Sequence, residues 1–154
     1  ARAMQQRLES EWAGRADGLP YRTPQEALVM ASIVEKETGR EADRTLVAAV
    51  FVNRLRRGML LQNDPSVIYG LGDAFDGNLR KHHLLDDTPY NTYTRPGLPP
   101  TPISMPGLAS LRAALHPAGS DALYFVARGD GSSEFSRTLD EHNRAVNKYQ
   151  RRGK

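Results

Sequence analysis

The 154-residue chain contains no cysteine, which excludes disulfide bridges and thiolate metal sites and leaves the redox compartment open. It also lacks any apolar run approaching the ~20 residues that a bilayer-spanning helix requires. No secretory signal is visible, because Arg2, Arg7, Glu9 and Glu11 interrupt the first residues; the expectation is a fragment excised from a longer protein. There is no Gly-rich phosphate loop, zinc-ligand spacing or nucleophile elbow, and the four histidines make no ligand pattern beyond the adjacent pair His82 and His83. Internal repeats and low-complexity tracts are absent too.

What is present suits one soluble domain with a real core: 39% hydrophobic residues, 25% charged, and a length that covers one domain comfortably but not two. The net charge of +3 raises the question of nucleic acid. Much of the excess, however, sits in Arg54, Arg56, Arg57 and the tail from Lys148 to Lys154, helix-end positions where cations are favoured anyway. A solvated face explains it, and no nucleic-acid partner is expected.

Thr23-Pro24-Gln25-Glu26 reads as a capping box, with Thr23 as N-cap and Pro24 at the first helical position, so a helix starts here. Leu28, Ala31, Ser32 and Glu35 then fall on one stripe, with Gly39 as the stop. Glu35 thus shares the apolar face. Burial and the negative end of the helix dipole both favour its protonated form, and an acid that keeps its proton can protonate a leaving group. Glu37, nine positions from Leu28, points to the opposite and supposedly solvent side at 100° per residue. From the helix alone, an arginine-paired structural role for Glu35 stays open.

Five more helices are expected. Met4, Leu8 and Trp12 form a short amphipathic stripe ending at Gly14. Leu46, Val47, Val50, Phe51 and Leu55 mark the core helix, closed by Gly58. Leu108, Leu111 and Leu115 mark another, ending near His116-Pro117, and Thr138 to Glu141 is a second capping box opening a helix with Leu139, His142, Val146 and Tyr149 on one face. Asp64-Pro65 reads as N-cap and first position of a short fifth helix, stopped by Gly70 and Gly72.

Between Asp73 and Met105 periodicity disappears and prolines accumulate, a length of irregular chain that suggests a working loop. Its cluster Tyr90-Asn91-Thr92-Tyr93 has the flat faces and amide groups that suit a sugar groove. Leu123 to Arg137, with turn chemistry at Gly129-Asp130-Gly131-Ser132, reads as a hairpin. The fold expected over residues 1–154 is therefore one α+β domain, mostly helical with a small antiparallel sheet.

The runs Ala31-Ser32-Ile33-Val34-Glu35-Lys36-Glu37-Thr38, Phe51-Val52-Asn53-Arg54-Leu55 and Leu61-Gln62-Asn63-Asp64-Pro65-Ser66-Val67-Ile68-Tyr69-Gly70 resemble, in order and spacing, the YceG-like (MltG) family of endolytic murein transglycosylases. Tyr90-Asn91-Thr92-Tyr93, Gly97-Leu98-Pro99-Pro100, His116-Pro117 and Leu123-Tyr124-Phe125-Val126 continue the match, which covers roughly Pro24 to Tyr149. One departure is Ser133, which stands where many members have a histidine.

The resemblance implies a lytic transglycosylase that cuts peptidoglycan internally, with Glu35 at the position of the catalytic glutamate. It also implies a longer protein, with a membrane helix and a LysM-like region ahead of this catalytic part. That protein would act at the periplasmic side of the inner membrane, in association with peptidoglycan synthases. No metal or cofactor is implied, and no membrane contact by this part of the chain.

Glu35 is accordingly expected to act as sole acid and base. Gln62, Asp64, Tyr69, Asn91 and Tyr93 are the expected substrate contacts, being able to hydrogen-bond hydroxyls and N-acetyl groups or to stack on sugar rings. Two alternatives stand beside the transglycosylase: a muramidase-type hydrolase with Asp64 or Asp86 as second carboxylate, and an inactive glycan-binding module.

Overall fold

A computed structural model describes residues 2–38 and 40–150. In chain order it comprises α1 (Arg2–Ala13), α2 (Pro24–Glu37), α3 (Glu41–Arg57), α4 (Asp64–Leu71), a 3-10 turn (Gly72–Ala74), α5 (Lys81–Leu85), α6 (Leu108–Leu115), β1 (Tyr124–Ala127), β2 (Ser133–Ser136) and α7 (Leu139–Tyr149). Mostly helical with one antiparallel pair of strands, this is the α+β class expected.

α2 is the axis of the molecule. Thr23 caps its start by accepting from the Glu26 N–H at 3.3 Å, with Pro24 in the first turn. From Val29 to Val34 every residue is buried, because α1, α3, α4 and α6 all pack around the helix. A helix apolar all round belongs to a core and has no water-facing stripe. Its expected stop, Gly39, lies outside the described residues; the last helical residue is Glu37.

α3 ends as its sequence suggests: Gly58 takes a left-handed φ of 72° and its N–H bonds back to the Arg54 and Leu55 carbonyls. The hairpin pairs Phe125 with Phe135, and Phe125 meets Phe51 of α3 edge-on at 5.8 Å. α7 then covers the hairpin. Its capping box forms as read, but Leu139 is exposed and Ala145 is the residue it buries.

α4 departs from expectation at both ends. Its N-cap is Asn63, whose side chain accepts from the Ser66 N–H at 3.0 Å, and Asp64 is the first helical residue. Gly70 lies inside the helix, and Gly72 caps it. Gly70 is needed for another reason: a Cβ there would stand 2.9 Å from the Tyr90 Cβ.

The long loop is pinned by its own polar groups. Asp87 pairs with Arg95 at 2.9 Å, and Tyr90 and Thr101 share a hydroxyl bond of 2.8 Å. Ser32 of α2 fixes the far end, accepting from the Ile103 N–H at 3.0 Å while its carbonyl accepts from the Ser104 hydroxyl at 3.0 Å.

Candidate active site

The last turn of α2 presents two glutamates to two different surroundings. Glu35 turns toward α6, where its Oε1 accepts from the Gly107 N–H at 2.7 Å and from the Ser110 hydroxyl at 3.1 Å. Gly107 is the N-cap of α6, so the carboxylate sits at the positive end of that helix. Glu35 is thus a tie between α2 and α6, and it does not line the cleft described next.

Glu37 lies across the helix, as the sequence period requires, but what it faces is a cleft of about 570 Å³. The cleft is walled by the end of α2, by α3, by residues 61–65, by Tyr93, and by the hairpin with α7. Glu37 is half-buried, and its expected exposure to solvent is therefore overturned. The physical reason is the position of α2: with neighbours packed around it, the side opposite Leu28 meets other elements of the fold instead of open water. Burial first, and then the charge of Asp64, push the Glu37 carboxyl up to about 7.

Gln62, Asp64 and Tyr93 join Glu37 in this cleft. Gln62 has a left-handed φ of 52°, uncommon for any residue but glycine, and its N–H donates to the Thr92 carbonyl at 3.2 Å. Such strain persists only where the surroundings over-determine it, and here buried Leu61 and Asn63 flank the residue. Asp64 is freed by Asn63 from capping α4, and its Oδ1 accepts from the Tyr93 hydroxyl at 2.6 Å. The Tyr93 phenol is held well above its ordinary pKa by burial, by that hydrogen bond, and by the charges of Asp64 and Glu37.

Behind these groups a buried network sets their positions. Thr92 Oγ1 accepts from the Asn63 N–H at 3.0 Å and shares a 2.9 Å bond with the Ser66 hydroxyl, clamping the loop to the start of α4. Tyr93 is thereby held beside Asp64.

Two expected contacts are elsewhere. Asn91 is 0% exposed, its amide donating to the carbonyls of Leu84 at 3.1 Å and Asp86 at 2.7 Å while its Oδ1 accepts from the Tyr93 N–H at 2.8 Å. It is a loop clamp; an amide with two donors and an acceptor serves a turn as well as a sugar. Tyr69 is 47% exposed and packs on Tyr90 with ring centres 5.0 Å apart, away from the cleft. Asp86 is likewise exposed beside His82 and outside the cleft.

Three further lining residues, Arg54, Tyr124 and His142, are not among the expected site residues. Arg54, read as a helix-end cation, is only 8% exposed and donates to the Leu123 carbonyl at 2.7 Å and the Leu60 carbonyl at 2.9 Å. Its guanidinium also lies 4.9 Å from the Tyr124 ring centre. Ser133 lines the cleft too, and its N–H donates to Asp43 at 3.2 Å. Only the docking of α3 against β1 brings these groups together, so no local pattern could have signalled them. Among the described residues no group of three or more His, Cys, Asp or Glu is arranged to hold a metal ion.

Glu37 and Asp64 thus stand as two carboxyls in one cleft on a mostly helical frame, a pairing whose chemistry allows acid–base work. The chain belongs to the YceG-like family, whose model matches residues 1–148. It is 49% identical over 122 residues to an endolytic murein transglycosylase of Bacillus subtilis (strain 168), covering 79% of this chain and 34% of that relative. An endolytic murein transglycosylase of Streptococcus pneumoniae serotype 2 (strain D39 / NCTC 7466) is 37% identical over 129 residues, covering 80% of this chain and 23% of that one. A crystal structure of a yceG-like protein from Listeria monocytogenes superposes with a TM-score of 0.74 at 47% identity, covering 80% of this chain and 40% of that chain. The chain thus spans about a third or less of the curated relatives' length.

Proposed function

We propose that this chain is the catalytic part of an endolytic peptidoglycan lytic transglycosylase, and that Glu37, in place of the expected Glu35, is its acid and base. The observation that carries the assignment is the contrast between the two carboxyls. Glu35 has its Oε1 tied to Gly107 and Ser110 and stands outside the cleft, whereas Glu37 lines the cleft, desolvated beside a second acid with its carboxyl pushed up to about 7. A group poised there holds a proton to give and can take one back.

In the first step Glu37 protonates the oxygen linking C1 of MurNAc to GlcNAc, the C1–O bond breaks, and the GlcNAc hydroxyl departs. C1 acquires oxocarbenium character, which the carboxylate of Asp64 stabilises electrostatically. In the second step the C6 hydroxyl of the same MurNAc attacks C1 and gives its proton to the Glu37 carboxylate. A 1,6-anhydro ring closes and Glu37 is protonated again. No water is consumed, and the tethered nucleophile has the advantage of an intramolecular reaction. Tyr93 and Gln62, which line the cleft with Asp64, bind and orient the sugar.

The names of the relatives support a murein substrate and action on the cell wall, outside the cytoplasm. A membrane anchor and peptidoglycan synthases as partners rest on the family resemblance alone. Among the described residues no helix is long and apolar enough to cross a membrane.

Digestion of purified peptidoglycan with mass analysis of the products tests the reading. Ends lighter than reducing ends by one water are expected. Reducing MurNAc ends would instead make the enzyme a hydrolase with Asp64 as the second carboxylate, and intact strands would leave a glycan-binding module.

A further inference from the structure

His142 is a polar residue the mechanism does not use. It lines the cleft from α7 and stacks on Tyr124 with ring centres 5.1 Å apart and planes 22° from parallel. Its Nδ1 is buried and has no hydrogen-bond partner among the described residues, a state shared there only by Arg44 Nε. A buried nitrogen left unpaired costs on the order of 1–3 kcal/mol, so its persistence on a cleft wall points to a partner that arrives with a ligand. Burial and the neighbouring charge of Arg54 both disfavour protonation and keep the ring neutral. The other ionisable groups lining the cleft are Glu37, Asp64, Tyr93 and Tyr124.

Resting on the proposed function, we infer that Tyr124 and His142 form a further sugar subsite of the cleft, in which a hydroxyl of an N-acetylhexosamine unit hydrogen-bonds His142 Nδ1. A hydroxyl both donates and accepts, so it satisfies either tautomer of a neutral imidazole. The aromatic pair supplies the flat apolar surface on which the C–H face of a pyranose lies. Glu37 and His142 line one cleft, and an enzyme that cuts within a strand needs sugar-binding surface beyond the bond being cut.

The test uses the Glu37→Gln protein, which cannot cleave, and a GlcNAc tetramer as probe. The histidine imidazole resonances of His142 are expected to move on titration, and adding His142→Ala should weaken binding roughly tenfold, the size of one net hydrogen bond. His142→Ala should melt at or above the temperature of its parent, because it removes an unpaired buried atom. If the tetramer binds, shifting Gln62 and Tyr93 while His142 stays unmoved and His142→Ala binds normally, the subsite is overturned and the cleft reading survives. If wild type leaves peptidoglycan intact and the probe does not bind, both are overturned together.

Discussion

The two sides of the last turn of α2 differ in what they leave undone. On the α6 side, Glu35 is matched by a backbone N–H and a hydroxyl at a helix N-terminus, and the result is a fastening. On the cleft side, Glu37 meets a second acid, and the result is a proton held near neutral pH. Two residues of one type, two positions apart, therefore do opposite things. On the proposed reading, reactivity goes to the carboxyl that faces open space with its charged form disfavoured, because the other has one oxygen tied to a neighbouring helix and stands outside the cleft.

Glu37→Gln should break the comparison most sharply. Turnover of purified peptidoglycan is expected to fall at least about a hundredfold, the lower end for losing a general acid–base group. Stability should move the other way and depend on pH. A folded-state pKa raised from 4.5 to about 7 contributes stability that is complete below 4.5 and lost as pH rises through 7, on the order of 3 kcal/mol. Melts of wild type and Glu37→Gln should thus diverge between those pH values, with the variant more stable at the upper end. Parallel melts would show that Glu37 is not the perturbed acid.

Asp64→Asn sharpens the electrostatic half. Roughly tenfold or more of the turnover should be lost with the charge facing the oxocarbenium centre. The alkaline limb of the pH–rate profile should shift to lower pH, since one of the two causes holding the Glu37 proton is gone. A limb that stays in place would leave burial as the whole cause.

Glu35→Ala is expected to cost about 1 kcal/mol of stability by denaturant titration, because it leaves the buried Ser110 hydroxyl without that partner while the exposed Gly107 N–H turns to water. The folded protein should keep turnover within about threefold of wild type. A hundredfold loss in a folded Glu35→Ala protein would reverse the assignment. The smallest effect concerns Gln62. Glycine relieves its left-handed φ and should add on the order of 0.5–1 kcal/mol of stability, while KM rises as the amide leaves the cleft.

Much of this molecule could be read locally. The caps at Thr23 and Thr138 and the left-handed stop at Gly58 involve residues close in sequence, so their chemistry is written in short motifs. The hairpin follows the same logic. Asp64 was harder, since Asn63 and Asp64 are both good caps and only the Asn63–Ser66 bond shows which one is used. Asn91 and Tyr69 were misread because residue type states what a side chain can bond, and not which partner will reach it first.

The sequence by itself determined the six longer helices, the caps at Thr23, Gly58 and Thr138, the hairpin, the family, and a pair of glutamates on opposite sides of one helix. The five-residue α5, inside the stretch expected to be irregular, is too short to show a period. Only the tertiary structure decided which glutamate meets a satisfied seam and which meets a cleft. Helical periodicity fixes the angle between two side chains, but what lies at that angle is supplied by α4, α6, the loop and the hairpin, elements distant in sequence that pack there because they bury their own apolar surface.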